Sequence, residues 1–484
     1  MKLQPTTSLL AFLAVLLLLA TSGPTRAAPS PPNILFILMD DQRWDDLGYA
    51  GHPFVKTPNI DRIAKEGVRF THAFVTTPLC SPSRASFLTG QYTHHHGILD
   101  NTARDALSHR LVTFPRLLHD AGYETGFVGK WHMGLDDSAR PGFDYWVAVK
   151  GQGNYLDPQL NNNGARKTVP GYVTDIFSDF AVDFLKRKRD KPFLLFLAHK
   201  AVHPDLMQRA DGSLSDPSAG KFIPAPRHQR LYADAPTPRR PNFGKVPADK
   251  PALMRKIDGL LPLGPETGTD EETVRDRLRM LASVDEGIGR MLKVLEQAGQ
   301  LENTLIIFTS DEGYFYGEHG LSVERRLAYE ESVFIPIAMR WPKLIPAGDV
   351  IDEMVLNIDF APTLLELGGA PVPKNMDGRS FAPLLRGEKI PWRDSFLIET
   401  VSDKVFPRVA QMGYQALRTT QWKYIHYLDL QGMDELYDLK QDPFELTNLI
   451  HSPNAQPDLE KLSKELKAIV PPRNLRQKDS ETEK

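Results

Sequence analysis

A single cysteine and two acidic pairs are the residues of this 484-residue chain that could do chemistry together. Cys80 opens the segment Cys-Ser-Pro-Ser-Arg at 80–84, and with one cysteine in the sequence it has no disulfide partner within the chain. A lone cysteine is most often a small buried core residue, but a stretch of Ser, Pro and Arg is not an apolar core run. Cys80 is therefore a candidate for a reactive or modified residue.

Each acidic pair follows an apolar run of strand length. Asp40 and Asp41 come after the first such run, and Asp311 and Glu312 come after a later one. In an open parallel sheet the carboxyl ends of the strands share one edge, where ligands bind. Four carboxylates at that edge favour a hard divalent cation bound through oxygen, Ca²⁺ or Mg²⁺ rather than zinc.

The residues after Cys80 predict a helix start. Ser81 is suited to cap a helix and Pro82 to occupy its first position. Cys80 is then expected just before the helix, facing free backbone N–H groups that attract a tetrahedral oxyanion, with the Arg84 cation a turn further on. A thiolate nucleophile of the tyrosine phosphatase kind is disfavoured, because those enzymes separate their Cys and Arg by a longer backbone cradle.

Alternating apolar runs and amphipathic segments predict an α/β fold. The runs at 33–39, 193–198 and 304–309 are short enough for strands buried on both faces. Between the last two runs, apolar residues recur at helical spacing over 278–295, and a capping box is predicted upstream at 269–272. Strands separated by helices indicate a large, mostly parallel sheet sandwiched by helices.

The motifs together resemble the signature of the type I sulfatases, which belong to the alkaline-phosphatase-like superfamily. That signature, Cys-x-Pro-Ser-Arg followed by Leu-Thr-Gly, stands here at 80–84 and 88–90. The resemblance implies a large alkaline-phosphatase-like domain with a smaller C-terminal antiparallel sheet subdomain. Four further matches follow the family's order: Asp-Asp at 40–41, Gly-Lys-Trp-His at 129–132, Lys-Ala-Val-His at 200–203 and Ser-Asp-Glu-Gly at 310–313.

The resemblance implies two cofactors. Cys80 is expected to be converted to formylglycine by a formylglycine-generating enzyme, and the hydrated aldehyde, a gem-diol, then attacks the sulfate sulfur. Because the second hydroxyl of the diol eliminates sulfate, no water has to attack the sulfated residue. A single Ca²⁺ is expected beside it. Its implied ligands are Asp40, Asp41, Cys80, Asp311 and Glu312.

Further roles are implied for the cationic and histidine residues of the same motifs. Arg84 and Lys130 are expected to stabilise the diol and the sulfate oxygens. His132 is expected to handle the diol proton, and His203 to act as general acid toward the leaving alcohol. A structural hydrogen-bonding role is the alternative for either histidine.

Two positions depart from the family pattern. Members commonly carry Asn or His where this chain has Glu312, which adds negative charge to the metal site. Arg325 stands where the family places a lysine that contacts the sulfate, so the charge is kept while the fork geometry differs. We expect activity to survive both changes.

The expected substrate is a sulfated carbohydrate. Residues 204–268 form a Pro-rich, charged insertion that is too long for a plain connection and is expected to shape the pocket mouth. With the segments at 200–203 and 317–321, it most resembles the N-acetylglucosamine-6-sulfatase-like members of the family. Candidate sugar contacts, for which a structural role is an equal alternative, are Trp131, Arg227, His228 and His319.

The amino terminus and the net charge indicate where the protein works. Residues 1–27 have the pattern of a signal peptide, with an uncleaved anchor as the alternative, and no cysteine follows the apolar stretch to make a lipoprotein. An exported protein, periplasmic or secreted, is expected. Removal of residues 1–27 takes away Lys2 and Arg26 and changes the formal net charge from −3 to −5. This weak acidity disfavours nucleic acid and a membrane surface as partners.

The predicted organisation is a catalytic domain at 33–387, a C-terminal α+β subdomain at 391–470 and a disordered tail at 471–484. A sulfate ester hydrolase is the favoured function. A metal-dependent phosphohydrolase of the same superfamily is the alternative, although it would ordinarily use Ser or Thr as nucleophile and two metals with several His ligands. A catalytically inactive carbohydrate-binding homologue is the third hypothesis, and it rests on Glu312 and Arg325.

Overall fold

The computed structural model describes residues 31–216, 220–401 and 405–470. The predicted signal peptide and C-terminal tail lie outside the described residues. The described residues from Pro32 to Val470 group into one compact unit. Within the described ranges, every helix is too short or too polar to cross a membrane.

The strands form one large sheet and two smaller ones. Among the described residues the strands are, in chain order, β1 (Asn33–Met39), β2 (Val68–Phe70), β3 (Ala73–Phe74), β4 (Glu124–Lys130), β5 (Tyr145–Val149), β6 (Gln159–Asn162), β7 (Ala165–Thr168), β8 (Phe193–Ala198), β9 (Thr304–Ser310), β10 (Ile337–Arg340), β11 (Asp349–Ile351), β12 (Val355–Leu356), β13 (Ser395–Thr400), β14 (Tyr414–Thr419), β15 (Trp422–Tyr427) and β16 (Glu435–Asp438). The large sheet has ten strands in the order β11-β2-β10-β9-β1-β8-β4-β5-β6-β7, and β12 pairs with β3 apart from it.

The centre of the large sheet is parallel, as the apolar runs predicted. β1 lies between β8 and β9 and pairs in parallel with both, with Met39 opposite Ser310. All residues of these three strands are buried. Continuous apolar strands are stable in such a sheet because helices cover both of its faces. The register places the residues that follow β1 and β9 side by side.

Helices cover the sheet on both faces. In chain order they are α1 (Pro58–Lys65), α2 (Cys80–Thr89), α3 (Thr93–His96), α4 (Asp105–Arg110), α5 (Phe114–Asp120), α6 (Val173–Leu185), α7 (Glu271–Gln297), α8 (Glu330–Val333), α9 (Phe360–Leu367), α10 (Ala382–Leu385) and α11 (Gln456–Ile469), with short 3₁₀ helices at Gly48–Ala50, Pro226–His228, Pro265–Thr267, Leu301–Asn303, Asn357–Asp359 and Pro453–Ala455. α6 and α7 pack with one face of β1, and α2, α5 and α9 lie on the other.

The N-cap of the long helix α7 lies one residue after Thr269, the N-cap predicted from the sequence. Asp270 is its N-cap, and the Asp270 carboxylate accepts a hydrogen bond from the backbone N–H of Thr273. Thr269 instead donates its hydroxyl to the Phe315 carbonyl. The prediction of a 269–272 box was wrong because Asp and Thr can both cap a helix, and tertiary contacts decide between adjacent candidates.

The C-terminal part forms the predicted small antiparallel sheet. Its order is β13-β14-β15-β16, with each strand antiparallel to the next. α11 packs its buried Leu462 and Leu466 against Leu397, Leu417 and Leu436 of this sheet. The fold is thus a large, mostly parallel sheet between helices with a smaller antiparallel sheet, as expected from the sequence.

Candidate active site

Helix α2 carries the cysteine at its first turn. Leu79 is the N-cap, so Cys80 is the first residue inside the helix rather than the residue before it. The Ser81 hydroxyl does not cap the helix but donates to the His132 carbonyl. The helix ends at Gly90, whose φ of 68° lies in the left-handed region that glycine adopts readily. Capping by Ser81 was therefore a wrong prediction, while the placement of Cys80 at a helix amino end is confirmed.

The Cys80 thiol lies among carboxylates. Its Sγ is 3.2 Å from Glu312 Oε1 and 3.8 Å from Asp40 Oδ1, and the residue is 0% exposed. Burial raises the pKa of the thiol well above its ordinary value; Lys130 opposes this shift, and the acids around it add to it. A neutral thiol held this way is a poor nucleophile.

The predicted acidic edge of the sheet forms where β1 and β9 end. The backbone N–H of Asp41 donates to Asp311 Oδ1 at 3.2 Å, and that of Gln42 donates to Ser310 Oγ at 2.9 Å. One oxygen each from Asp40, Asp41 and Asp311 lies within 4.8 Å of the others. The parallel register brings these carboxylates together although they are far apart in sequence.

Two cations bridge the acidic edge to α2 and β4. Arg84 Nε donates to Asp311 Oδ2 at 2.8 Å, and its Nη2 lies 3.1 Å from Asp40 Oδ2. The Lys130 ammonium pairs with the same Asp40 carboxylate. Burial raises the pKa of Asp40, but Lys130 and Arg84 outweigh it and leave that pKa lowered. Burial raises the pKa of Asp311 to about 7.

Arg325 faces the other side of the cluster. Its Nε is 2.6 Å from Asp41 Oδ1 and 3.5 Å from Glu312 Oε1, and all three side chains are buried. Burial raises the pKa of Glu312 well above its usual range, and Arg325 opposes that shift. Arg325 is therefore a cation that favours the charged form of Glu312.

The oxygen atoms of the cluster fit a divalent cation. Both carboxylate oxygens of Asp41 and Oε2 of Glu312 are buried without a hydrogen bond. Arg325 Nε approaches Asp41 closely but is not aligned for a hydrogen bond, so the two form an ion pair only. Buried, unsatisfied carboxylate oxygens are costly unless a cation is bound. A hard cation such as Ca²⁺ would satisfy them through Asp40, Asp41, Asp311 and Glu312.

Two histidines lie beside the cluster. One ring nitrogen of His203 lies within 4.8 Å of ligand atoms from Asp40 and Cys80. His203 Nδ1 is 2.8 Å from the Pro204 carbonyl. Since a carbonyl only accepts, Nδ1 carries hydrogen and Nε2 is left with a lone pair. His132 Nδ1 lies 3.5 Å from Ser81 Oγ, and because the Ser81 hydrogen is donated to the His132 carbonyl this is a contact without a hydrogen bond. Burial lowers the pKa of both histidines, and Lys130 lowers both further.

Two residues at this site carried no individual role in the sequence analysis. Lys200 is buried with Nζ 3.3 Å from the Pro204 carbonyl, and burial lowers its pKa to about 8. It stands within the Lys-Ala-Val-His motif at 200–203, which was the signal that could have marked it. Gln208 contacts His132 from the insertion, where no motif marks it.

The proposed sugar contacts do not join the cluster. Trp131 is 4% exposed, packs edge-on against Phe127 and donates its indole N–H to Ser108 Oγ at 2.8 Å. Lys130 and His132 of the same motif lie at the site, whereas Trp131 belongs to the buried core on one face of the sheet. Trp131 is thus placed in the core, and its contact with a sugar stays a prediction.

The other three candidates are also engaged elsewhere. Arg227 forms ion pairs of 2.6 Å with both Asp175 and Glu286. The two ring nitrogens of His228 lie 3.0 Å from Ser283 Oγ and 2.8 Å from Glu286 Oε1. Arg227 and His228 therefore fasten the insertion to α6 and α7. His319 is 0% exposed and packs on Tyr329 with Asn242 beside it. The structure shows these contacts for the three residues, and their role toward a sugar stays a prediction.

Comparison with known proteins agrees with this geometry. A family model described as Sulfatase matches residues 32–370, and one described as N-sulphoglucosamine sulphohydrolase, C-terminal, matches residues 317–471. The chain is 33% identical over 531 aligned positions to an N-acetylglucosamine-6-O-sulfatase of Bacteroides thetaiotaomicron, covering 99% of this chain and 93% of that one. It is 30% identical over 471 positions to an N-acetylglucosamine-6-sulfatase of Homo sapiens, covering 86% and 81%.

A solved structure extends the comparison to the fold. A protein crystallised in complex with its substrate D-glucosamine-2-N,6-O-disulfate superposes with a TM-score of 0.77 and 30% identity, over 91% of this chain and 97% of that one. The family model spans most of the chain, and the signature cysteine, the acidic edge and the cations converge in space. This chain therefore belongs to the sulfatase family and is a sulfuric ester hydrolase.

Proposed function

We propose that this sulfatase removes a 6-O-sulfate from N-acetylglucosamine or glucosamine residues of a sulfated glycan. The observation that carries the reaction type is the position of Cys80, at a helix amino end and within 3.8 Å of carboxylates from both strand ends. The names of the relatives and the glucosamine disulfate bound to the similar structure support the sugar.

Cys80 and the acidic edge fit the two groups that the family uses. Formylglycine derived from Cys80 would supply a hydrated aldehyde as nucleophile, and Ca²⁺ would supply positive charge beside the sulfate. Because Cys80 is 0% exposed in the folded chain, its conversion by a formylglycine-generating enzyme has to precede the folding of this segment. We retain export, predicted from residues 1–27, as part of the proposal.

The protein's own cations have two tasks in this proposal. Arg84 and Lys130 are held in place by Asp40, so their positive charge faces the site without a cost of reorganisation when sulfate binds. Lys200 adds a third cation near His203, since both side chains contact the Pro204 carbonyl. A buried group of cations in low dielectric binds a sulfate ester strongly and stabilises charge that shifts toward the leaving oxygen.

The two histidines divide the proton transfers. His132 lies against Ser81, the residue after Cys80, and is proposed to accept a proton at the nucleophile. His203 is proposed to protonate the leaving sugar oxygen from Nε2. That nitrogen has to gain a proton first, and an anionic sulfate beside it favours the protonated ring.

Peptide mass spectrometry of protein made in its native host tests the cofactor. The peptide that contains position 80 is expected to be about 18 Da lighter than the cysteine form, since CH₂SH becomes CHO. Protein from a competent host that carries only the thiol at position 80 would contradict the mechanism.

Sulfate release from a panel of sulfated sugars tests the substrate. We expect release from N-acetylglucosamine-6-sulfate and glucosamine-2-N,6-O-disulfate, with Cys80→Ala as the blank and the matching phosphate esters as the test of a phosphohydrolase. Equal release by Cys80→Ala would refute the site assignment. Release from other sulfated sugars alone would refute the 6-O-glucosamine assignment while leaving the sulfatase activity intact.

A further inference from the structure

A short hairpin of the insertion covers the amino end of α2. Residues 205–215 turn back on themselves, with Arg209 N donating to the Ser213 carbonyl and Ser215 N to the Met207 carbonyl, both at 2.8 Å. The turn uses Gly212 at a φ of 83°. The Ala210 carbonyl accepts from Ala103 N at 2.7 Å, which fastens the hairpin to the loop at 100–104.

That loop also holds the first turn of α2. Asn101 Oδ1 accepts a hydrogen bond of 3.1 Å from the backbone N–H of Ser81. The hairpin, the 100–104 loop and the residue after Cys80 are therefore linked by consecutive contacts. A side chain on this hairpin is held in a defined position relative to the site.

Gln208 is the hairpin residue that reaches a residue of the site. Its Oε1 lies 2.8 Å from His132 Nε2 and accepts a bond of 2.7 Å from Gln152 Nε2. Its own Nε2 donates to the Gly212 carbonyl at 3.1 Å. Because that carbonyl can only accept, the amide orientation is determined and Oε1 must face His132.

This orientation determines the tautomer of His132. An amide oxygen has no hydrogen to donate, so His132 Nε2 carries the hydrogen and the lone pair is on Nδ1. Nδ1 is the nitrogen on the Ser81 side, toward the amino end of α2. The His132 backbone has a φ of 62°, and its ring contacts the hairpin through Gln208.

We propose that Gln208 is a positioning residue for sulfate ester hydrolysis, because its amide oxygen holds His132 as the tautomer whose Nδ1 accepts a proton at the nucleophile. This inference rests on the proposed function. A neutral amide suits the role because Lys130, Arg84 and Lys200 face His132, and these cations favour the neutral ring that can accept a proton. A carboxylate in its place would favour the protonated ring.

Three variants test the proposal. Gln208→Met keeps the length of the side chain without its hydrogen bonds, and Gln208→Glu keeps an acceptor. Met207→Ala is the matched control on the same hairpin, since Met207 is 38% exposed. Formylglycine content is measured first in each protein, so that a maturation defect is separated from a catalytic one. kcat and KM for N-acetylglucosamine-6-sulfate are then measured against pH.

Gln208→Met is expected to lower kcat about 10- to 100-fold and to change KM less than about threefold, as for loss of a partner that orients a proton-transfer group. Gln208→Glu is expected to recover most of kcat and to move the acid limb of the kcat profile to higher pH. Met207→Ala is expected to match the wild type.

A Gln208→Met enzyme with wild-type kcat would overturn the proposal. So would an unshifted pH profile for Gln208→Glu, or an equal loss of kcat in Met207→Ala, because a merely structural hairpin would give those results. Wild-type turnover of the sulfated sugar is the separate test of the proposed function. Its absence would remove that function, whereas its presence with an unaffected Gln208→Met would remove this inference alone.

Discussion

Lys423 joins the small antiparallel sheet to the catalytic part of the chain through a buried ion-pair network. Its Nζ lies 2.8 Å from Glu330 Oε1, at the start of α8, and 2.7 Å from Glu445 Oε1. The side chains of Lys423 and Glu445 are 0% and 1% exposed. Each contact is worth about 6 kcal/mol by Coulomb's law at an effective dielectric constant of about 20. The desolvation of the three charges offsets much of that attraction.

At pH 8, Lys423→Met is expected to destabilise the protein by about 3–5 kcal/mol, because buried Glu445 is left without its cation, whereas Glu330 keeps its ion pair with Arg418. With an unfolding entropy of about 2.1 cal/mol/K per residue, 484 residues give a fall of about 3–5 °C in the thermal midpoint. Calorimetry or thermal unfolding by circular dichroism measures the change. Lys461→Met, an exposed substitution on α11, is the matched control and is expected to leave the midpoint unchanged.

The penalty is also expected to depend on pH. Burial raises the pKa of Glu445 to about 7 even with Lys423 present. Without Lys423 the pKa of Glu445 in the folded protein rises further. A carboxyl whose pKa is higher in the folded than in the unfolded state stabilises the fold at pH values below the unfolded pKa. That stabilisation is lost as pH rises through the folded pKa. The variant is therefore expected to lose more stability at pH 8 than at pH 5. A loss of unfolding free energy below about 1 kcal/mol at pH 8, or a loss at pH 5 that exceeds the loss at pH 8, would refute the reasoning.

Three further outcomes are expected at the active site. Glu312→Gln removes one of the buried carboxylates, so the dissociation constant of Ca²⁺ is expected to rise at least about tenfold in calorimetric titration of chelator-treated protein; an unchanged constant would exclude Glu312 from the ligand set. In the wild type, KM for the sulfated sugar is expected to rise as pH increases through about 8, because the Lys200 cation is lost there. Lys200→Met is expected to have a high KM that does not change near pH 8. A rise in KM near pH 8 that persists in Lys200→Met would show that another group causes it. Chelation is expected to abolish activity and lower the thermal midpoint, because the carboxylates of the acidic edge then repel one another, with recovery on adding Ca²⁺; full activity after verified metal removal would contradict a metal role.

Much of the large sheet could be predicted from local pattern. The runs that became β1, β8 and β9 are continuous and apolar because each strand is buried on both faces, and that composition is visible without any contact information. The placement of acids after β1 and β9 followed from the same pattern, since parallel strands end at one edge. The small C-terminal sheet was expected from the family resemblance, and the short, partly alternating segments at 414–418, 422–428 and 435–439 indicate the same sheet.

The details of helix starts were not accessible in the same way. Ser81 and Thr269 are both good capping residues, yet their hydroxyls bond to the His132 and Phe315 carbonyls. Each of these carbonyls is distant in sequence from its hydroxyl donor. The choice of cap therefore depended on tertiary contacts that outcompete a local preference.

The sequence by itself determined the reaction class. The class depends on short motifs, and a short motif can be recognised without knowing the fold: these are the signature around Cys80, the acidic pairs and the Lys and His motifs. Only the tertiary structure decided which polar residues meet the site. Trp131, Arg227, His228 and His319 had suitable chemistry, and the structure shows which side chains they contact instead of the acidic edge. Gln208 had no motif, yet a hairpin brings it to His132. Distances between residues far apart in sequence are set by packing, and packing is not encoded in any single segment.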